Sequence, residues 1–164
     1  NAFLALGFWG GSLVLLGDVL KGIICACMGS FFVSPELAPL MIVSCGIAGI
    51  LGHNYSVFLG GKGGKGIATS LGVLIYISWI AAVVGVVIWG IIVLTTKYSS
   101  LGSITAALAM PFVLYFIHCP AEYVGFGILA ALTALYKHRS NIKRLLSGRE
   151  LKITDKPKDK GAVI

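Results

Sequence analysis

Residues 67–96 read IATSLGVLIYISWIAAVVGVVIWGIIVLTT, an unbroken run without one charged side chain. The run is either a single tilted membrane helix or a hairpin of two shorter ones turning at Ser78 and Trp79, and the choice sets the direction of every later crossing. Charge decides it. With a hairpin, the glycine-rich loop before residue 67, Lys97 and the basic stretch from Lys137 onward share one side, leaving Glu36 and Glu122 on the other. With a single helix, Lys97 and the tail are separated from Lys62 and Lys65. Basic loops collect on the cytoplasmic side of a membrane protein, so the hairpin is favoured, with the glycine loop and both termini facing the cytoplasm.

Composition agrees. Of 164 residues, 57% are hydrophobic and 12% charged, whereas a soluble domain carries about 25% charged residues. A chain this short cannot hide so much apolar surface in a water-soluble core. The 22 glycines suit helices that approach closely in lipid. Polar punctuation divides the apolar sequence into runs at 12–33, 37–52, 67–78, 79–96, 100–117 and 123–137. The expected fold is therefore all-α, a polytopic membrane helix bundle of about six spans. Asn1 follows no basic n-region or cleavage site, so residues 1–33 do not read as a signal peptide, and one more span is expected upstream. Residues 1–150 form one integral membrane domain. Residues 151–164, with four lysines among Asp155, Pro157 and Asp159, read as a polar cytoplasmic tail, disordered or resting on lipid, with no chemistry assigned.

The cysteines, Cys25, Cys27, Cys45 and Cys119, lack the paired spacing of a zinc site or a secreted disulfide framework and read as small packing residues. No metal centre is indicated.

Four polar clusters interrupt the apolar background. The first is the loop at 52–69, GHNYSVFLGGKGGKGIAT. Glycine permits positive φ and close backbone approach, lysine supplies a point charge suited to phosphate, and the helix that follows turns free N–H groups toward the loop. It is not a Walker A motif, which needs GxxxxGK followed by Ser or Thr, because Gly66 follows Lys65 and Leu59 precedes the run. A flexible turn is the plain alternative, but His53, Asn54, Thr69 and Ser70 crowd around it. The second cluster pairs Asp18 with Lys21 on one helix face. It is a structural ion pair, or Asp18 orients a site lysine or a substrate hydroxyl. The third is KYSSLGS at 97–103, where Ser99 or Ser100 reads first as a helix cap. The fourth is KHRSNIKR at 137–144, a basic exit from the membrane in which His138 and Asn141 share a face and can turn toward the glycine loop.

Together these clusters resemble the PlsY family of bacterial acyl-phosphate:glycerol-3-phosphate acyltransferases. The resemblance runs from Asn1 to about Glu150, through GDVLKG (17–22), GHNYSVFLGGKGGKGIATSLG (52–72), KYSSLGS (97–103) and KHRSNIKRLLSGRE (137–150). It implies an enzyme of the bacterial cytoplasmic membrane that joins the acyl group of an acyl phosphate to the first hydroxyl of glycerol 3-phosphate, beginning phospholipid biosynthesis and releasing lysophosphatidic acid and phosphate. The implied partners are glycerol 3-phosphate, acyl phosphate and membrane lipids, with no cofactor, metal or nucleic acid. Such enzymes lack the HxxxxD motif of other glycerolipid acyltransferases. So does this chain, with Phe58, Tyr123 and Lys143 five residues after its three histidines.

By the resemblance, Lys65 is the second lysine of the phosphate-binding KGGKG, with Gly63, Gly64 and Gly66 as an amide cradle, and His138 and Asn141 are the polar pair of the C-terminal motif. These three side chains are the expected catalytic set. Asn1, His53, Lys62, Thr69, Ser99, Ser103 and Arg139 are expected to bind substrate, with Asp18 and Lys21 in support. Three positions depart from the family pattern: Leu4 for an arginine, Ser140 for a glutamate and Ser56 for a proline. A leucine cannot imitate the bidentate grip of a guanidinium on phosphate, so a catalytically impaired paralogue that binds acyl phosphate is one alternative. A small anion transporter, with the glycine loop as a broken-helix site, is the other.

Overall fold

The computed structural model describes residues 2–31, 33–57, 60, 61 and 63–155, with side chains from Leu6 onward. Asn1 and Lys62, both expected to bind substrate, lie outside the described residues. Seven helices follow in order: α1 (Ala2–Ser30), α2 (Ala38–Asn54), α3 (Ile67–Ile77), α4 (Trp79–Thr96), α5 (Ser99–Phe116), α6 (Ala121–Lys137) and α7 (Arg139–Leu146). No strand occurs among the described residues, and the expected all-α bundle is what the chain forms.

The charge argument for residues 67–96 holds. Ser78 is extended at φ −163 and ψ 96, and its hydroxyl accepts the Ala81 N–H at 3.3 Å, ending α3 and capping α4. Contacts at the two ends of the bundle give the path. At one end the Ser30 hydroxyl lies 2.8 Å from that of Tyr76. At the other, Lys137 donates to the Asn54 carbonyl at 2.7 Å and Ser100 to Glu150 at 2.6 Å. Helices α1 to α6 therefore alternate in direction, and the glycine loop, Lys97 and α7 collect at one end, here called the polar end.

By length and composition α1 (from Leu6 to Ser30), α4 and α5 are each long and apolar enough to cross a membrane. With 11 residues, α3 is only about 16 Å long at 1.5 Å per residue, roughly half of a hydrocarbon layer. Six helices traverse the bundle, but they do not all reach equally far. A break at Gly7 (φ 69, ψ −171) divides α1, so helical structure starts ahead of the apolar run read from residue 12.

Glycines make the joints. A Cβ on Gly22 would lie 2.0 Å from the Thr69 carbonyl, and one on Gly72 2.0 Å from the Val19 carbonyl, so α1 and α3 cross backbone against backbone. The same closeness joins α1 to α2 at Gly29. Without a hydrophobic drive between helices in lipid, dispersion at such contacts is what holds them together. The interior, with Ala26, Val73, Leu114 and Phe126 fully buried, is small. Trp79 at 69% and Leu94 at 70% exposure belong to a rind that only lipid can solvate favourably.

Candidate active site

At the polar end the loop doubles back onto the end of α2. Gly60, Gly61 and Gly66 all take positive φ, which glycine adopts without strain. The loop lies directly on His53: a Cβ on Gly63 would sit 2.1 Å from the His53 carbonyl, and one on Gly64 2.0 Å from its Nε2. Gly66 then opens α3 from the left-handed region, and the first-turn N–H groups, which have no intrahelical acceptor, face the loop with the positive end of the helix dipole.

Lys65 leaves this loop and donates to Asn141 Oδ1 at 2.8 Å, across 76 residues of sequence. Asn141 is buried at the start of α7 and uses its Nδ2 to donate to Glu150 Oε1 at 2.6 Å. Glu150 is the hub. Its Oε1 also accepts from the Ser100 hydroxyl at 2.6 Å, and its Oε2 from Arg144 Nε at 2.8 Å. Burial opposes the Glu150 charge, but donors from Ser100, Asn141 and Arg144 outweigh it and hold the carboxyl below its ordinary range. Burial likewise lowers the Lys65 ammonium, while Glu150 works against that loss and Arg144 adds to it. A half-buried ammonium tied to one amide oxygen, with N–H groups to spare, is suited to an arriving anion.

His138 joins α6 to α7 and is 2% exposed. Its Nδ1 lies 2.8 Å from the Ala134 carbonyl; a carbonyl only accepts, so Nδ1 carries the hydrogen and the neutral ring keeps a free lone pair on Nε2. Burial pushes the imidazole below its ordinary value, opposed by the Ala134 bond and assisted by the nearby Lys65 charge. The structure thus joins Lys65 to Asn141, with His138 near enough to feel the Lys65 charge.

Across the loop, Asp18 Oδ1 accepts from Lys21 at 3.0 Å and lies 3.4 Å from His53 Nδ1. Lys21 is 62% exposed and bonds only Asp18, not the Lys65 network. Ser103 is buried and spends its hydroxyl on the Ser99 carbonyl at 3.0 Å. Thr69 is fully buried where α3 crosses α1, and its hydroxyl has no partner. Arg139 turns outward, donating to the Tyr136 carbonyl at 3.1 Å with its guanidinium 4.5 Å from that ring. The capping role read for Ser99 or Ser100 is corrected: Tyr98 caps α5 without a side-chain bond, and Ser100 is directed to Glu150.

Sequence reasoning passed over Glu150, Ser100, Arg144 and Lys137 as site residues. One signal was present, since Glu150 is the only acid in the otherwise basic stretch 137–150. Lys137, taken as a mark of membrane side, clamps the Asn54 carbonyl and lies 4.3 Å over the Tyr55 ring. The tail does not leave at once either: Ile153 N–H donates to the Lys97 carbonyl at 2.9 Å. Among the described residues the four cysteines are free and half-buried, and no group of acids, histidines and cysteines is arranged to hold a metal.

A lipid-solvated helix bundle with an anion cradle and a buried imidazole at one end defines the class, an integral membrane protein built to act on an anionic substrate. Residues 1–148 match the family described as glycerol-3-phosphate acyltransferase, and the chain belongs to that family. The glycerol-3-phosphate acyltransferase of Syntrophomonas wolfei is 44% identical over 144 residues, covering 88% of this chain and 72% of the relative. That of Alkaliphilus metalliredigens is 44% identical over 153 residues, covering 93% and 75%. A crystal structure of PlsY, an integral membrane glycerol 3-phosphate acyltransferase in its glycerol 3-phosphate form, superposes with a TM-score of 0.85 at 37% identity, covering 92% of this chain and 74% of that one. Its lysophosphatidic acid form gives 0.85 at 38%, covering 92% and 76%.

Proposed function

We propose that this chain transfers the acyl group of an acyl phosphate to the primary hydroxyl of glycerol 3-phosphate, at the cytoplasmic face of a bacterial inner membrane. Family membership supports acyl transfer to glycerol 3-phosphate over the transporter reading. The observation that carries the mechanism is the Lys65 ammonium, which leaves the glycine loop and is held at 2.8 Å by Asn141, three residues beyond His138.

An acyl phosphate is a mixed anhydride, activated before it arrives, so the site has to align a hydroxyl with a carbonyl and stabilise a departing phosphate. The hydroxyl oxygen bonds to the carbonyl carbon. The bond from that carbon to the phosphate oxygen breaks, and phosphate leaves with the electron pair. Lys65 and the first-turn amides of α3 take up the growing charge, at roughly 3 kcal/mol for a well-placed donor. His138 Nε2, the unused acceptor, takes the hydroxyl proton. No side-chain nucleophile is required. Asn141 and Glu150 hold Lys65 in place, and Asp18 holds His53 against the loop.

Detergent-solubilised protein given acyl phosphate and radiolabelled glycerol 3-phosphate should form labelled lysophosphatidic acid without a sealed compartment. Lys65→Ala should lower kcat by about 100- to 1,000-fold, the usual loss for one oxyanion donor. Full activity in that variant would eliminate the mechanism, and a native protein that binds both substrates without turnover would establish the impaired paralogue instead.

A further inference from the structure

Behind the Glu150 hub the surface opens into a cleft of about 320 Å³, lined by Lys143, Arg144, Ser147 and Arg149. The proposed mechanism leaves it unused. Three of its four lining side chains are cationic, and Glu150, the partner of Arg144, is 7% exposed with both oxygens engaged. Among the described residues, neither Lys143 nor Arg149 makes an ion pair or a side-chain hydrogen bond. Uncompensated positive charge around a concave surface attracts an anion.

We infer that this cleft binds the phosphate of an anionic phospholipid headgroup, and that its occupant steadies Arg144 and, through Arg144, the chain of bonds to Lys65. The lipid source follows from the surroundings. Leu146 is 85% exposed on the same short helix, Ile153 54% and Tyr136 57%. Apolar groups left bare beside cations at the end of a membrane bundle rest in the headgroup zone, where a lipid phosphate is the abundant anion.

The coupling is a matter of donors. Arg144 commits only Nε to Glu150, and a guanidinium has four further N–H groups in the same plane. Phosphate accepts these in the bidentate manner typical of arginine. Occupancy then fixes a side chain that is otherwise 32% exposed and held at one point. Glu150 passes the restraint to Asn141 at 2.6 Å, and Asn141 to Lys65 at 2.8 Å.

The test uses the full chain in nanodiscs of phosphatidylcholine, alone or mixed with phosphatidylglycerol, with lipid retention read by native mass spectrometry and therefore independent of turnover. The native protein should keep phosphatidylglycerol in preference to phosphatidylcholine. Replacing Lys143→Gln and Arg149→Gln together should weaken that retention about 10- to 30-fold, the effect of removing two basic charges near an anionic surface. Arg149→Lys with Lys143 intact should keep most of it. Phosphatidylglycerol should raise kcat in the native protein and leave the double variant unchanged. Equal retention by native and double-variant protein overturns the site, and displacement of the lipid by inorganic phosphate or free glycerol 3-phosphate overturns its assignment to lipid. A kcat indifferent to phosphatidylglycerol while retention persists overturns the link to Lys65.

Discussion

Two polar clusters flank the glycine loop, and they are built differently. Asp18 and Lys21 are three residues apart on one helix, and Lys21 is largely exposed. Lys65, Asn141, Glu150 and Ser100 come from three distant parts of the chain and share polar atoms that are at least partly buried. A local, solvated pair adds little and tolerates loss. A distant, desolvated network fixes geometry and cannot give up one member without stranding the others.

The strongest challenge to that contrast is Glu150→Ala. It leaves Arg144, Asn141 and Ser100 without their common acceptor, and breaking a largely buried pair should cost about 3 kcal/mol, read as a lowered midpoint in denaturant or heat. Glu150→Gln retains an acceptor and should recover part of the loss. A Glu150→Ala protein as stable as the native one would remove the hub.

Next comes Gly64→Ala. The added Cβ has to displace His53 Nε2, and a displacement of about 1 Å at a catalytic site costs up to 100-fold. The KM for glycerol 3-phosphate should rise more than kcat falls. Unchanged kinetics would mean that the loop does not sit on His53 during turnover.

A pH profile sharpens the comparison further. In the proposed mechanism His138 must be neutral to accept a proton, and burial sets its pKa below the ordinary value, so the acid limb of kcat should lie lower than for a free histidine. His138→Gln should abolish that limb. The sign for stability is the same: on acidification the unfolded chain takes up the proton first, so stability falls between the ordinary and the folded pKa. The smallest effect is expected for Lys21→Gln, within about 0.5 kcal/mol of stability. A large loss there would erase the distinction between the clusters.

What the sequence disclosed follows the same division. The turn at Ser78 and the positions of the long helices were legible because apolar runs, polar breaks and charge sidedness are local or additive signals. The pair of Asp18 with Lys21 was legible from helical spacing. Lys65 meeting Asn141 came through a resemblance, since no periodicity links residues 76 apart. Ser100 reaching Glu150 had no local mark at all, and the rule that serine caps helices pointed elsewhere. Arg139 entered the expected substrate-binding set with the C-terminal motif of the resemblance, yet consecutive residues diverge on a helix, and Arg139 is turned onto Tyr136.

The brevity of α3 has one more consequence. A rod of about 16 Å starting from the far side cannot carry its first residue to the near surface of a layer about 30 Å thick. Under the proposed reaction, a cradle at the head of that rod would sit beneath the membrane surface. A hydrophilic reactant would then shed hydration to reach it, while a fatty acyl donor would approach sideways from among the lipid tails.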